Sequence, residues 1–296
     1  MRRSRFYGQH GEDVVAWHAL GDSEGPRFFV EVGMIDGRRF SNTLAFEEIG
    51  WSGVCVEPHP DYIDLVRLNR KGSLVVHAAA SNRSALSAPF HAEARGALSG
   101  LAPRDERTLL ERYGEYFGGF RIVDVPVKTL DEILVEASAP TEMELVSIDV
   151  EGTEFDVLEG LDLARWRPRV VIVEANDAVS GEKLVTHMHR AGYELARLIG
   201  GANLFFTRTP CDRATIRDAR IDRPFVHTRH PRDAAGPNTV VRPTDSPLQR
   251  LLARVKFQLC RRGARRRRSR SSSATSGRAS TTASTSPSFG STIASS

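Results

Sequence analysis

Phe28-Phe29-Val30-Glu31-Val32-Gly33-Met34-Ile35-Asp36-Gly37 is the stretch that decides the fold. Phe28 to Val32 is an apolar, β-favouring run, the composition of a strand covered on both faces. The run ends at an acid, Glu31, and at two glycines, Gly33 and Gly37. A strand alone explains the apolar residues but not the acid followed by glycines. Glycine at such a turn lets the backbone take positive φ and lets a ligand approach closely. In an open α/β sheet, ligands bind beyond the carboxyl ends of the strands. The stretch therefore predicts a first parallel strand with a ligand site at its end. An ordinary strand-to-loop glycine pair is the simpler alternative for this segment taken alone.

Working outward, strands and helices alternate. Residues 11–20 open as a short helix with acids in its first turn. Ser41-Asn42-Thr43 predicts the cap of a helix that stops at Gly50. Further strands are predicted at 53–57, 74–80, 145–149 and 169–174, with helices at 61–70, 129–134, 153–160 and 181–191. Runs at 193–198 and 203–207 flank Gly200-Gly201 and read as a β-hairpin. Residues 82–120 are less regular and read as an insertion, followed by a strand-like piece at 123–127. Strands alternating with helices argue for a parallel sheet.

The charge is divided unevenly along the chain. From His227 onward there are 14 Lys and Arg against 2 Asp and Glu, so a formal net of +4 hides an acidic body before a basic tail. The division predicts a folded unit over 1–226 and a largely disordered tail over 227–296. An acidic body is poorly suited to gripping phosphate backbones. In the tail, Leu248, Leu251, Leu252, Val255 and Leu259 share one helical face, which predicts an amphipathic helix at 247–260. Seven of the ten residues 261–270 are Arg, and Ser and Thr dominate residues 271–296. Such a tail suits an anionic membrane surface or nucleic acid, or is simply solvated. The chemistry is expected to be independent of it. Cys55, Cys211 and Cys260 are too few and too scattered for a disulfide framework or a zinc site. With no apolar run near bilayer length and no apolar segment after the basic N-terminus, a cytoplasmic location is expected.

Glu31, Glu57, the Ser81-Asn82 pair and Asp149 each close a predicted strand, so parallel pairing puts them on one rim. Glu57 lies 20 residues beyond Gly37. That is the distance expected of a carboxylate that binds ribose hydroxyls. The absence of Gly-x-Gly-x-x-Gly at the first turn counts against a nicotinamide dinucleotide.

On these blocks the chain resembles the FkbM family of methyltransferases that use S-adenosylmethionine (SAM). The blocks are Tyr7-Gly8-Gln9-His10-Gly11-Glu12-Asp13, the loop from Phe29 to Thr43, Gly50 to Pro58, Ser147 to Gly160, and Asn203 to Phe206. Ser147-Ile148-Asp149-Val150-Glu151-Gly152-Thr153-Glu154-Phe155 opens the most specific of them. The resemblance covers roughly residues 6–208, with small departures at Gly8 and Met34-Ile35. It implies an α/β, Rossmann-like class I methyltransferase sheet of seven strands, the last antiparallel, with helices on both faces. It implies that Glu31, Gly33, Asp36, Gly37 and Asn42 cradle the methionine end of the cofactor. Glu57 would then take the ribose hydroxyls, Ser81 and Asn82 flank the adenine, and Asp149 face the sulfonium and the acceptor.

The implied reaction is methylation of a hydroxyl on a sugar, glycan or polyketide-type small molecule. Such a reaction needs an oxygen held in line with the S–CH₃ bond and a group that takes its proton. Asp149 and Glu151 are the expected base or orienter, with Glu174 and Asn176 nearby. His10 is the favoured histidine because it lies in the N-terminal block; His59, His77, His187 and His189 are weaker candidates. The clustered acids also suit Mg²⁺, which favours carboxylate oxygens, but a metal is not the favoured reading. Two alternatives remain at this point: a nucleic-acid methyltransferase recruited by the Arg-rich tail, and a non-catalytic module that binds SAM or a nucleotide.

Overall fold

The structure is a computed structural model that describes residues 5–21, 27–233 and 237–242. The amphipathic helix expected at 247–260 and the Arg-rich run lie outside the described residues.

Seven strands form the central sheet: β1 (Phe28–Val32), β2 (Ser52–Val56), β3 (Ser73–Val76), β7 (Met143–Ile148), β8 (Pro168–Glu174), β9 (Glu194–Ile199) and β10 (Asn203–Thr207). Their order is β3-β2-β1-β7-β8-β10-β9. Strands β1, β2, β3, β7 and β8 pair in parallel, and β10 runs antiparallel to both of its neighbours. This is the Rossmann-like sheet expected, including the antiparallel strand from the terminal hairpin.

Both faces of the sheet are buried, which is why its strands read as continuous apolar runs. Val30, Val32, Val54, Val146 and Val171 point to one face. There they meet α5 (Leu130–Glu136), α6 (Glu154–Glu159) and α7 (Ala178–Arg190). Phe29, Cys55, Leu145, Ile172 and Phe205 point to the other face. That face is covered by α1 (Glu12–Leu20), α2 (Leu44–Glu47), α3 (Ile63–Asn69) and α8 (Pro210–Asp218). Helix α8 was not expected from the sequence, although Thr209 caps it by accepting from Asp212 N and Pro210 opens it.

Two regions depart from the expectation. The predicted strand at 74–80 is two strands. β3 ends at Val76, and β4 (Ala79–Ala80) leaves the central sheet to pair with β6 (Phe120–Lys128). β6 in turn pairs antiparallel with β5 (Ala85–Glu93), so the irregular insertion is a second, three-stranded sheet with α4 (Glu106–Tyr113) between its long strands.

The expected boundary at 226 also moves. Phe225 bridges Phe6, and β11 (Phe225–His227) pairs with β12 (Thr239–Val241). Thr228 and His230 are buried, Arg39 Nη1 donates to the Thr228 carbonyl at 2.9 Å, and Arg232 pairs with Asp61. His230 Nε2 lies 2.6 Å from the Arg95 carbonyl and 3.3 Å from Tyr62 Oη. Residues 227–233 therefore belong to the body. Truncation after 226 is expected to lower stability by about 1–3 kcal/mol, the worth of a buried side chain with its hydrogen bonds. Truncation after 242 should leave stability unchanged. Urea unfolding of the two truncations would check this, and equal midpoints would restore the boundary at 226.

Candidate active site

Parallel register brings four strand ends level. Val32 pairs with Val56 and Ile148, and Ile148 pairs with Val173. The next residues, Gly33, Glu57, Asp149 and Glu174, therefore sit in a row on one rim. A cavity of about 300 Å³ opens there, lined by all four. Gly33 has φ 76°, and a Cβ added to it would lie 1.8 Å from the Asp149 carbonyl oxygen. Glycine is thus required where β1 and β7 part. The cavity continues past Met34, Ile35 and Pro58 to Ala79, Ala80 and Phe90, and past Gln9, Arg39 and Phe40 to Tyr113 and Tyr116.

Several expected cofactor residues stand behind the cavity rather than in it. The Glu31 carboxylate accepts from Ser41 Oγ at 2.8 Å, Thr43 Oγ1 at 2.7 Å, Asn42 N at 2.7 Å and Arg70 Nη1 at 2.6 Å. It is saturated by the loop it holds. Asp36 accepts from Arg38 N and Arg39 N and closes the turn. Gly37, at φ 79°, packs on Arg70. Asn42 donates through Nδ2 to Ser147 Oγ at 3.1 Å, while its Oδ1 is buried without a partner. Of the expected methionine cradle only Gly33 lines the cavity; Glu31, Asp36, Gly37 and Asn42 shape the loop that carries it.

Two further expectations shift by a residue or two. The His10 ring packs against Gly200, and its neighbour Gln9 faces the cavity instead. Ser81 donates through its N–H to the Lys128 carbonyl, and Asn82 is exposed with Nδ2 on Glu159. Ala79 and Ala80 take the position expected of Ser81 and Asn82, because the chain turns toward β6 at that point. Thr153, Tyr113, Tyr116, Arg39 and Phe40 line the cavity and were not singled out from the sequence.

Glu57 is held rigidly, accepting from Met34 N at 2.9 Å and His59 N at 2.8 Å. Burial pushes it up to about 7. Asp149 stands well above the usual carboxylate range because of burial and then the facing Glu174. Burial and the charge of Glu151 raise Glu174 to about 7. Burial and the charge of Asp149 raise Glu151 to about 8, although Arg104 Nη2 lies 3.2 Å from its Oε2 and opposes the rise. Asp149 Oδ1 and Glu174 Oε2 are both buried and no fixed donor reaches either, although the two carboxyls face each other closely enough to share a proton. Such atoms are costly unless something completes them. A cationic or hydroxyl-bearing ligand would do so. Asp149, Glu154 and Glu174 each present an oxygen within 4.8 Å of the others, the donor type Mg²⁺ takes.

No curated protein matches this chain. Among solved structures, the ribosomal protein L11 methylase from Lactobacillus delbrueckii subsp. bulgaricus is 10% identical, with 66% of this chain and 77% of that chain covered and a TM-score of 0.35. Precorrin-6y C5,15-methyltransferase from Geobacter metallireducens GS-15 is 11% identical, with 66% and 85% covered and a TM-score of 0.36. The glycopeptide N-methyltransferase MtfA complexed with SAM is 10% identical, with 69% and 96% covered and a TM-score of 0.32. These likenesses are distant. The family comparison is direct: residues 31–195 match the methyltransferase FkbM domain. That match starts at the acid of β1, spans every strand end that meets the cavity and takes in more than half of the 296 residues, so the chain belongs to the FkbM methyltransferase family.

Proposed function

We propose that this chain transfers the methyl group of SAM to a hydroxyl oxygen of a sugar, glycan or polyketide-type small molecule. The observation that carries the reading is the facing pair Asp149 and Glu174. Each has a buried oxygen that no fixed donor reaches, and both sit beside the backbone cradle at Gly33. SAM supplies a methyl group already activated on a positive sulfonium, so the protein's task is to bind, orient and move a proton. The carboxylates of Asp149 and Glu174 complement that positive charge and accept the proton of the attacking hydroxyl. Glu57 offers its remaining lone pairs to the ribose diol, held in place by the Met34 and His59 amides. Pro58, Ala79, Ala80 and Phe90 give the apolar surface that a flat base requires.

Calorimetric titration with SAM and NAD separates this reading from a dinucleotide enzyme: SAM should bind and NAD should not. Glu57→Ala should weaken SAM by about 1.5–3 kcal/mol, the range for hydrogen bonds to a charged group. Unchanged affinity in that variant would refute the ribose role. Incubation with labelled SAM and panels of sugars, lipids, polyketides and RNA, followed by mass analysis, tests the acceptor. Methylated RNA without a small-molecule product would overturn the proposal in favour of a nucleic-acid methyltransferase. Binding of SAM with no product from any panel would favour the non-catalytic module.

A further inference from the structure

Four carboxylates line the cavity: Glu57, Asp149, Glu151 and Glu174. Arg39 is the one Lys or Arg among the described lining residues, and it is not used to neutralise them. Its Nη1 donates to the Thr228 carbonyl at 2.9 Å and its Nη2 to Tyr116 Oη at 3.2 Å. The guanidinium stacks on Phe40 with its carbon 4.6 Å from the ring centre, and Nε is buried without a partner. No carboxylate lies within salt-bridge distance of Arg39 among the described residues. The neighbouring guanidiniums differ: Arg95 is paired with Asp233, and Arg104 with Glu151. A half-buried cation met only by neutral oxygens is poorly compensated. Arginine's planar fork is suited to closing that deficit with a carboxylate or phosphate.

We propose that Arg39 is the oxyanion anchor of the cavity, binding a carboxylate or phosphate of the ligand while the acids at the strand ends face its cationic or hydroxyl-bearing part. The inference rests on the SAM reading and adds a residue and a ligand chemistry to it. The oxyanion has two sources: the amino-acid carboxylate of the cofactor, or an acidic group on the acceptor. Titrations on the full chain separate them. The probes are S-adenosylhomocysteine, 5′-methylthioadenosine, which lacks the amino acid, and glucuronate, glucose 6-phosphate and glucose added at saturating S-adenosylhomocysteine. With the cofactor as source, Arg39→Gln weakens S-adenosylhomocysteine by about tenfold to a hundredfold and leaves 5′-methylthioadenosine unchanged. With the acceptor as source, the cofactor product binds normally and the acidic sugars lose their advantage over glucose. In either case Arg39→Lys restores part of the loss. The proposal is overturned if Arg39→Gln binds every probe as wild type does, including the case where acidic sugars bind neither protein. It is also overturned if the two nucleosides weaken equally, since Arg39 would then only support the Thr228 segment. Failure of wild type to bind either nucleoside would instead refute the SAM reading.

Discussion

Asp149→Asn is expected to lower turnover by about 10²–10⁴-fold, the usual contribution of a general base, while the protein still folds and binds S-adenosylhomocysteine. Asparagine keeps the shape of the side chain and removes its ability to take a proton. The backbone is fixed independently, because Asp149 N donates to the Val32 carbonyl at 3.0 Å. Glu174→Gln should show a loss of the same kind, and the double variant should be little worse than either single one, because facing carboxylates act as a unit. A carboxyl raised by burial is a base only once ionised. The wild-type rate should therefore rise with pH through about 7, the value to which Glu174 is pushed. The residual rate of Glu174→Gln should lack most of that rise, because the group that titrates there is gone. Single-turnover measurements between pH 5 and 9 would check both points. An Asp149→Asn rate within threefold of wild type would move the base to another residue, with Glu151 the weaker choice because Arg104 already engages it.

The central sheet is legible in the sequence because its strands are covered on both faces, so burial is written as unbroken apolar runs. The split of residues 74–80 is not legible. Leu74 to Val76 and Ala78 to Ala80 are equally apolar, and only the pairing of β4 with β6, 48 positions further on, pulls the second piece away. β5 hides for the opposite reason: Ala85 to Ser87 are exposed and Pro89 interrupts the run, so neither alternation nor continuity survives. At the site, Asp149 and Glu57 could be placed from their strands alone. Glu31 could not, because its role is set by Arg70, which reaches it from just past the C-terminal end of α3 at 2.6 Å. An acid at a strand end looks the same in sequence whether a ligand or a buried arginine meets it. The aromatic wall of Tyr113 and Tyr116 lies beside the site only through the second sheet, a tertiary arrangement with no local signature.

Gly33→Ala is expected to remove cofactor binding altogether, with a stability loss of about 4 kcal/mol or more, a size reserved for backbone or core disruption. The φ of 76° alone costs an L-residue about 1–2 kcal/mol. The larger cost is steric, because the new methyl group would lie 1.8 Å from the Asp149 carbonyl oxygen. Neither backbone can retreat freely: Gly33 N donates to the Val56 carbonyl at 3.0 Å, and Asp149 N to the Val32 carbonyl at 3.0 Å. Relief requires prising β1 from β7 at the point where the cavity opens. Two other glycines calibrate the effect. Gly37, at φ 79°, would place a methyl 2.9 Å from Cγ of the buried Arg70 and 3.3 Å from Cα of Val66, a milder overlap than at Gly33, so Gly37→Ala should cost stability while retaining measurable binding. Gly50, at φ 103°, has open space around it, so its alanine variant should show conformational strain alone. The expected order of loss is Gly33, then Gly37, then Gly50, read from thermal midpoints and S-adenosylhomocysteine titration. Binding by Gly33→Ala within threefold of wild type would mean that the gap between β1 and β7 is not where the cofactor lies. Equal losses at Gly33 and Gly50 would show that strain, and not the close approach to Asp149, sets the requirement for glycine.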